Sequence, residues 1–544
     1  MPLLDWVNRN QAEETATQVP YHLLKFEQAY GDEEQAKENL IIHGDNLHAL
    51  KALLPTHTGQ IKCIYIDPPF NTQEAFDHYD DKLEHAQWLS MLYPRLQLLK
   101  ELLHDEGTIF LHIDDNELGY IIVLMDEIFG RDNRTHIVSF KQGAATGHKA
   151  INPGLVSTTN YILIYCKNKS SWKPKKLFVG RDIDTRYNQY IVNFDEHFSK
   201  WKTQPLLQIF ADTLGIKKSA LKKELGEDYE QQLSQFVINN AHRVIRPARP
   251  DYKSVGKDVK EAIDISKNMD EVWLLERDGN SDMYFFKGER WLFYKDKLKF
   301  IDGKWISGEP LSTMWADLLS NNLHNEGGVN FPKGKKPEAL IKRIIELSTD
   351  ENDYVLDSFL GSGTTIAVAH KMKRRYVGIE MGPQANTHVI PRLQNVISGE
   401  DGGISKAVNW QGGGGFNFYT LGSPVFDDNG FLNADVKFKD LASYVWWLET
   451  KFALNQTENF DNPFLGIYED TAYYLLYNGI LGDRRPNGGN VLTSSVLNHL
   501  NECHAHDGKR IVIGEASRLS PARLEALNIE FKQIPYSLYG NKAK

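Results

Sequence analysis

The stretch VLDSFLGSGTT, from Val355 to Thr365, joins a strand-like apolar run to a glycine-rich turn that opens a helix. In this geometry, backbone amides at the helix start and the lack of side chains let a nucleotide-like ligand approach the carboxyl end of a sheet strand. A phosphate-binding loop of NTPases would end in Gly-Lys-Ser/Thr, whereas this turn ends in Gly-Thr-Thr. The stretch therefore predicts a nucleotide-binding strand, turn and helix without a triphosphate site.

An acid at the end of the next predicted strand supports the same site. Glu380 in YVGIE follows Asp357 by about twenty residues, the spacing at which nucleotide-binding folds place a ribose-binding carboxylate. An acid that only caps the following turn is the alternative. The turn also lacks the full GxGxxG spacing of a dinucleotide fingerprint, so we expect a cofactor with an adenosine and no pyrophosphate. S-adenosylmethionine fits that description.

Short apolar strands alternate with helical stretches on both sides of a long irregular segment. The alternation runs from Leu40 to Cys166 and returns from Phe331 to about Asn395. Such alternation predicts an α/β fold with a mostly parallel sheet covered by helices on both faces. The two blocks together would supply one seven-stranded, doubly wound sheet, and the segment between them would be an insertion.

Composition divides the chain into five predicted segments. Basic clusters mix with aromatic residues between Asn168 and Leu311, and the glycine run from Gln411 to Phe416 predicts a flexible hinge. The segments are an N-terminal extension (1–39), the first part of the α/β domain (40–170), the insertion (171–312), the second part of the α/β domain (313–400) and a small C-terminal α/β domain (411–544).

The tetrapeptide DPPF directly follows the apolar run IKCIYI, at the position where doubly wound sheets place their active sites. Pro68 and Pro69 fix the backbone and remove two amide donors, which leaves a site made of hydrogen-bond acceptors. The Asp67 carboxylate and a neighbouring main-chain carbonyl can accept both hydrogens of an exocyclic amine, while Phe70 stacks on the base. That arrangement aims the nitrogen lone pair at a methyl sulfonium. The motif therefore predicts methylation of an amine on a nucleobase.

Composition also limits the other functions. The formal net charge of -10 argues against nonspecific coating of nucleic acid but allows a local basic groove. Three cysteines, Cys63, Cys166 and Cys503, are too few and too scattered for a disulfide framework, which fits a reducing cytoplasm. Cys503 beside His504 and His506 is more typical of a polar surface than of a zinc site, so no metal is expected. The apolar runs are too short to span a bilayer, so we expect a soluble protein without a membrane partner.

At these motifs the chain resembles the β-group DNA amino-methyltransferases that act on adenine N6, in which a DPPF catalytic block precedes an FxGSGTT cofactor block. It is most similar to the modification (Mod) subunits of type III restriction-modification systems, through IYIDPPFNT, GTIFLHIDDNE and VLDSFLGSGTT. The resemblance implies a Rossmann-like, seven-stranded, S-adenosylmethionine-dependent methyltransferase fold with an inserted target-recognition domain. It also implies a circular permutation that places the catalytic block before the cofactor block.

The resemblance further implies which residues form the site. The catalytic block, Asp67 to Phe70, would hold a flipped adenine. The cofactor would be bound by residues of IIHGDNL, of FPKGKKPEALIKRII, and of the glycine turn with its next strand. These residues are Asp45, Phe331, Lys336, Pro337, Asp357, Phe359, Gly361, Ser362, Gly363, Thr364 and Glu380.

DNA and protein partners are expected as well. The resemblance implies double-stranded DNA as the substrate, a homodimer, and a second subunit that carries an ATP-driven helicase-like motor and a nuclease. DNA contacts are expected in the insertion and in the loop from Lys141 to Thr159, although a solvated basic surface would show the same charge pattern. The candidate contacts are Lys141, Lys149, Arg243, Arg246, Arg249 and Lys253.

Two other functions fit part of the same pattern. A cytosine-N4 methyltransferase would keep the fold, but such enzymes more often have serine in place of Asp67. A sequence-reading subunit that mainly positions a nuclease or helicase would not need the intact motifs. A C5-cytosine enzyme is disfavoured because that chemistry needs a cysteine nucleophile, usually after proline, and none of the three cysteines follows a proline.

Overall fold

The computed structural model describes residues 3–71, 84–143, 155–318, 323–331, 334–427, 429, 431–433, 435–454, 462–477 and 490–534. The chain divides into two compact units. Unit 1 comprises Met1–Lys175 and Thr313–Lys544, and unit 2 comprises Lys176–Ser312. Unit 2 coincides with the predicted insertion except that it begins at 176 and not at 171.

The described strands are numbered in chain order. Before the insertion they are β1 (His22–Gly31), β2 (Leu40–His43), β3 (Ile61–Ile66), β4 (Leu103–Ile113), β5 (Arg134–Lys141) and β6 (Thr159–Cys166). Unit 2 contains β7 (Phe178–Gly180), β8 (Gln189–Ile191), β9 (Thr203–Pro205), β10 (Val244–Ala248), β11 (Trp273–Leu275), β12 (Met283–Phe286), β13 (Glu289–Phe293), β14 (Leu298–Ile301) and β15 (Lys304–Pro310). Unit 1 then continues with β16 (Met314–Trp315), β17 (Tyr354–Asp357), β18 (Arg375–Glu380), β19 (Gly415–Pro424), β20 (Phe464–Tyr468), β21 (Thr471–Leu475), β22 (Val491–Leu492), β23 (Lys509–Gly514), β24 (Ala516–Ser517) and β25 (Ile529–Gln533).

The described α-helices are numbered in the same way. Unit 1 has before the insertion α1 (Arg9–Gln18), α2 (Glu33–Ala36), α3 (Asn46–His57), α4 (His85–Leu102) and α5 (Leu118–Met125). Unit 2 has α6 (Leu206–Leu214), α7 (Leu221–Leu225), α8 (Tyr229–Asn239) and α9 (Lys257–Lys267). Unit 1 ends with α10 (Glu338–Ser348), α11 (Thr364–Lys371), α12 (Ile390–Ile397), α13 (Phe438–Thr450), α14 (Ser494–Cys503) and α15 (Pro521–Ala526). Within the described ranges, none of these helices combines the length and the apolar character needed to cross a bilayer.

The main sheet of unit 1 has ten strands in the order β1-β19-β2-β18-β17-β3-β4-β6-β5-β16. Its seven central strands are β2-β18-β17-β3-β4-β6-β5, and they come from the two blocks in which the sequence predicts alternating strands and helices. The first five of these seven strands run parallel, and β6 is antiparallel to both of its neighbours. The predicted seven-stranded sheet is therefore present but extended by β1 and β19 at one edge and by β16 at the other. The circular permutation stays a prediction.

Residues of the central strands alternate between two buried faces. In β3, Ile64 and Ile66 belong to the same hydrophobic cluster as Leu53 of α3 and Leu96 of α4. Tyr65 lies between them, points to the opposite face and is also buried. α10 contacts β3 and β4 and packs against α11, and α11 contacts β17 and β18 and packs against α12. Because β3 is buried on both faces, IKCIYI is a nearly continuous apolar run. Helices therefore cover both faces of the sheet, and the predicted α/β, doubly wound architecture is confirmed.

The C-terminal segment begins inside the main sheet. β19 pairs antiparallel with β1 and parallel with β2. A side chain at Gly415 would collide with the carbonyl oxygens of Tyr30 and Asp32, which lie 2.7 and 2.4 Å from the position of an added Cβ. The predicted flexible hinge from Gln411 to Phe416 is therefore wrong at its end, because close strand pairing and not flexibility requires glycine there. The first strand after 411 belongs to the main sheet.

Beyond β19 the chain builds a second sheet in the order β20-β21-β23-β25. Its β21-β23-β25 part is parallel, and Ala472, Tyr474 and Val512 form a core of their own with Leu497 of α14. The helix before this sheet, α13, packs against α3. A small α/β sheet thus follows β19, as the strand patterns near the C-terminus indicate.

Unit 2 contains two sheets. One has the order β11-β12-β13-β10-β8-β9, and the other has the order β14-β15-β7. Tyr187 and Tyr294 pack with α6 and α8 in the largest of its described cores, with ring centroids 5.0 Å apart. The insertion is therefore folded around cores of its own.

Candidate active site

Four acidic residues meet at one edge of the main sheet. Asp45 lies two residues after β2, Asp67 directly follows β3, and Asp357 and Glu380 end β17 and β18. These strands are parallel neighbours in the order β2-β18-β17-β3, so their carboxyl ends share one edge. A cavity of about 320 Å³ lies there. Its lining residues are Asp45, Asn46, Tyr65, Asp67, Pro68, Pro69, Phe70, Met91, Arg95, Gly334, Lys336, Asp357, Ser358, Phe359, Leu360, Gly361, Ser362, Thr364, Thr365, Ile379, Glu380, Met381, Gly382 and Gln384.

Asp357 holds the two ends of the glycine turn. Its carboxylate accepts hydrogen bonds from the Phe359 amide at 2.9 Å and from the Thr365 hydroxyl at 2.6 Å. Burial of the side chain raises the pKa of the Asp357 carboxyl to about 7, and the nearby charges of Asp67 and Glu380 act in the same direction. The two hydrogen bonds only partly oppose this rise. Asp357 is therefore partly protonated at neutral pH.

The raised pKa of Asp357 predicts a pH dependence of folding stability. A carboxyl with a pKa of about 7 in the folded chain and 3.8 in the unfolded chain contributes most below pH 3.8, and this contribution is lost as the pH rises through 7. We expect the free energy of unfolding of the wild type to fall by about 3 kcal/mol relative to that of Asp357→Asn between about pH 5 and pH 8. Urea denaturation of both proteins measures this difference. Parallel stability curves would contradict the expected result.

Glu380 holds the glycine turn from the neighbouring strand. Its Oε2 accepts a hydrogen bond from the Gly361 amide at 2.7 Å, and its Oε1 accepts one from the Gly382 amide at 2.8 Å. These bonds are those of an acid that caps a turn. Each carboxylate oxygen can accept a second hydrogen bond, and Glu380 lines the cavity. The geometry therefore allows Glu380 to cap the turn and to accept a ribose hydroxyl.

The turn itself depends on its two glycines. Gly361 and Gly363 have φ values of 55° and 80°, a left-handed conformation that other residues rarely adopt. The helix that follows is held by a buried ion pair, because Arg392 donates to the Thr364 hydroxyl and to the Glu338 carboxylate, both at 2.8 Å. Arg392 and Glu338 are fully buried. The wall made by the turn is therefore fixed by both backbone conformation and buried polar contacts.

Asp45 lines the same cavity and is fixed by contacts of its own. Its carboxylate accepts the Leu47 amide at 2.8 Å and so caps α3. Arg95 of α4 donates to the same carboxylate at 3.1 Å and also to the Asn46 side chain. Burial lowers the pKa of the Arg95 guanidinium. Asn46 in turn donates to the Ser358 carbonyl at 2.7 Å, which links this wall to the glycine turn.

The DPPF backbone is anchored at its end. The Trp88 indole donates a hydrogen bond to the Pro69 carbonyl at 2.8 Å. Asn71, which follows the motif, has φ 59° and donates to the Glu117 carboxylate at 2.8 Å. Asn71 is buried, so this bond replaces one that water would otherwise provide. The motif is thus held in place by a side chain of α4 and by that of Glu117, which directly precedes α5.

The Phe70 ring rests against a neutral histidine. Its centroid lies 5.8 Å from that of His112, with the ring planes tilted by 35°. Both ring nitrogens of His112 are engaged, Nδ1 with the Tyr65 hydroxyl at 2.9 Å and Nε2 with the Asn160 amide at 3.2 Å. Burial, with the charge of Lys336 nearby, holds the pKa of His112 well below its usual value. His112 therefore supports Phe70 without adding a charge.

Lys336 occupies the acceptor side of the DPPF motif. Its Nζ lies 2.5 Å from Asp67 Oδ2 and 5.1 Å from the centroid of the Phe70 ring. The side chains of Lys336 and Asp67 are only 13% and 19% exposed. The sequence resemblance groups Lys336 with the cofactor residues, whereas its contacts in the structure are with the predicted catalytic block.

The structure brings most of the predicted site residues together. All four residues of DPPF line the cavity, and so do eight of the eleven predicted cofactor residues. Phe331, Gly363 and Pro337 lie outside this lining. Phe331 is buried with its ring 5.3 Å from that of His388, Gly363 precedes α11, and Pro337 precedes α10. Arg95, Asn46 and Ser358 line the cavity as well. Asn46 and Ser358 lie within the motifs IIHGDNL and VLDSFLGSGTT but were not among the predicted site residues, and Arg95 lies in none of the motifs.

Two of the predicted DNA contacts in unit 2 have acidic partners in the same unit. Arg243 pairs with Asp195 at 2.9 Å and is only 23% exposed. Arg249 pairs with Glu289 at 2.9 Å but is 87% exposed. Arg246 lies on β10 and is half-buried. Of these three arginines, Arg249 is therefore the most accessible to a DNA phosphate.

The remaining DNA candidates lie in different places. Lys253 is exposed in the loop before α9. Lys141 is the last residue of β5 in unit 1 and is half-buried. Lys149 lies outside the described residues, so its role stays a prediction.

Comparison with known proteins identifies the family. A sequence model of the DNA methylase family that covers N6 and N4 enzymes matches residues 61–389, more than half of the chain. This range begins at β3, which leads into DPPF, and includes the glycine turn and Glu380. The chain therefore belongs to the N6/N4 DNA methylase family.

The chain is also similar to individual proteins of known type. The chain is 37% identical over 415 residues to the HindVI Mod subunit of Haemophilus influenzae, named as part of a type III restriction-modification enzyme, with 71% of this chain and 54% of that protein covered. It is 27% identical over 418 residues to the EcoPI Mod subunit of Escherichia phage P1, with 68% and 60% covered. The chain spans about half to three fifths of the length of these relatives. Among solved structures, M1.HpyAVI in complex with SAM has 14% identity and a TM-score of 0.32, with 65% of this chain and 98% of that chain covered.

Proposed function

We propose that the chain is a site-specific DNA methyltransferase that transfers the methyl group of S-adenosylmethionine to the N6 amine of a flipped adenine. The observation that carries the proposal is one cavity lined both by Asp67 to Phe70 and by the glycine turn with Glu380. A methyl donor and a nucleobase amine must lie within reach of each other, and this cavity is lined by the residue types that each requires. Membership of the DNA methylase family supports the reaction class.

The DPPF motif fits a flipped base. Proline at two consecutive positions leaves no amide donors there, so the motif presents only acceptors to an amine. The Asp67 carboxylate would accept a hydrogen of the amine and keep the nitrogen lone pair directed into the cavity. Phe70 would stack on the base, supported by His112 behind it.

The opposite side of the cavity fits S-adenosylmethionine. This cofactor supplies a methyl group on a positively charged sulfonium when it is bound. Four acids and two basic residues line the cavity, so the lining favours a cation over a phosphate. Ser358 lines the cavity, and its buried hydroxyl has no hydrogen-bond partner in the part of the chain that the structure describes. Asp45 and Glu380 would hold adenosine hydroxyl and amine groups, and Gly361 would leave room for the ligand.

Methyl transfer to DNA tests the proposal directly. Purified protein is incubated with unmethylated DNA and S-adenosylmethionine that carries a labelled methyl group, and the DNA is then digested to nucleosides. We expect the label in N6-methyldeoxyadenosine. Label in N4-methyldeoxycytidine would establish the cytosine alternative, and DNA without label would overturn the proposed activity.

We also propose that the protein works in a restriction-modification system, as a homodimer and with a helicase-nuclease subunit. The similarity to two Mod subunits supports this assignment. Truncation at Gln411 is unsuitable as a test because it would remove β19 from the main sheet. The full chain is therefore co-expressed with the product of a neighbouring helicase-nuclease gene, and co-purification is measured together with the mass of the complex. A monomer that retains no such subunit would contradict both assignments.

Unit 2 is proposed to contact DNA phosphates through exposed basic residues. Replacing Arg249 and Lys253 together with alanine should weaken DNA binding and reduce the slope of log K against log salt by about two units, since each lost phosphate contact lowers it by roughly one. Lys509→Ala removes an exposed, ion-paired charge from unit 1 and serves as the control. Binding curves across a salt series measure the slopes. An unchanged slope in the double variant would show that these charges only face solvent.

A further inference from the structure

The Lys336 ammonium contacts the DPPF motif where the exocyclic amine of the target base is proposed to bind. It lies 2.5 Å from Asp67 Oδ2, where an amine donor of the target base would lie. It also lies 5.1 Å from the centroid of the Phe70 ring, the ring on which the base would stack. Asp67, Phe70 and Lys336 line the same cavity. The ammonium and the base therefore require the same acceptor and the same aromatic ring.

We propose that Lys336 is a latch that competes with the flipped base for the Asp67 acceptor, so that base entry requires the Asp67–Lys336 ion pair to open. The inference rests on the proposed function and deepens it, because it names a residue that sets how readily the base enters. A cation over an aromatic ring and beside a carboxylate is stabilised by both, and this stabilisation opposes flipping. The latch therefore favours the state in which the base remains stacked in DNA.

The backbone around Lys336 is anchored, so the latch must open through its side chain. The neighbouring Lys335 is buried and donates a hydrogen bond to the Val329 carbonyl at 2.9 Å. On the other side, Pro337 is buried, has a fixed φ and begins the turn into α10. The flexible four-carbon stem of lysine can move the ammonium away from Asp67 without moving these anchors. The base can thus bind Asp67 only when the Lys336 side chain has moved its ammonium away.

Base flipping in the presence of S-adenosylhomocysteine tests the latch. 2-Aminopurine replaces the base next to the target adenine of the recognised sequence, its fluorescence rises when flipping of that adenine removes its stacking neighbour, and fluorescence is measured at saturating protein. Lys336→Met should raise the ratio of flipped to stacked base about fivefold, the factor expected when an ion pair of ordinary strength no longer holds the closed state. Lys336→Arg keeps the charge and the pairing with Asp67, so its ratio should stay at or below that of the wild type.

Two further measurements separate the latch from other roles. Lys342→Met removes a lysine of α10 that pairs with Glu346 at 2.8 Å, and it should leave the ratio unchanged. Calorimetry with S-adenosylhomocysteine should show no loss of affinity in Lys336→Met, whereas a loss of tenfold or more would assign Lys336 to the cofactor site and overturn the latch.

The wild type is assayed for methyl transfer in the same preparation. Methyl transfer by the wild type, without a rise in flipping for Lys336→Met, would overturn the latch alone. A wild type that transfers no methyl group would overturn the proposed function together with the latch.

Discussion

Replacing Asp67 with alanine is expected to reduce methyl transfer by about 10²- to 10⁴-fold while the affinity for S-adenosylhomocysteine changes little. The carboxylate is the acceptor that orients the target amine, so its removal acts on the reacting group. The glycine turn, Glu380 and Asp45 are held by contacts of their own and do not depend on Asp67. Single-turnover methyl transfer and calorimetry measure the two effects separately.

The Asp67 variant needs controls because it also leaves Lys336 without its carboxylate partner. Thermal melting shows whether the fold survives this loss. Asp105→Asn changes an exposed carboxylate at the beginning of β4, 74% exposed, and should leave methyl transfer unchanged. Near-normal turnover by Asp67→Ala would remove the DPPF motif from the catalytic mechanism.

Replacing Glu380 with alanine is expected to lower the affinity for S-adenosylhomocysteine by about 10- to 100-fold. The Gly361 and Gly382 amides would both lose a charged acceptor at 2.7 and 2.8 Å. Hydrogen bonds to charged groups typically contribute about 1.5–3 kcal/mol each, so the glycine turn should also become less well fixed. Calorimetry and thermal melting measure these effects, with Glu530→Ala, which changes an ion-paired glutamate of β25, as the control.

A modified ligand distinguishes the two roles of Glu380. If Glu380 contacts the ribose, the wild type should bind a 2′-deoxy analogue of S-adenosylhomocysteine more weakly than the parent compound, and Glu380→Ala should show a much smaller difference. If Glu380 only caps the turn, both proteins should discriminate equally between the two ligands. This double comparison isolates the contact because effects on the turn alone cancel.

The continuous motifs were predictable because their residue types determine the local backbone. Two prolines remove donors after β3, and two glycines with positive φ allow the turn after β17. The alternation of strands and helices then implies that the strand ends meet at one edge. For these reasons the sequence predicted where the cavity lies and twelve of its 24 lining residues.

Contacts between distant segments were not predictable from local pattern. The pair of Lys336 with Asp67 and the contact of Arg95 with Asp45 each join residues that no spacing relates. Gly415, the first residue of β19, shows the converse error. Its glycine-rich neighbourhood resembles a linker, but the glycine is required by the close approach of Tyr30 and Asp32 when β19 enters the sheet. Tertiary packing, which composition does not encode, decides these positions.

Long-read sequencing of DNA from cells that express this chain tests the central claim most directly, because it reports the modified base, its position and its sequence context together. We predict N6-methyladenine within one short recognised sequence in cells with the wild-type chain, and none in cells with Asp67→Ala. Absence of modified adenine with the wild type, or an unchanged pattern with Asp67→Ala, would contradict the proposal that the DPPF cavity methylates adenine.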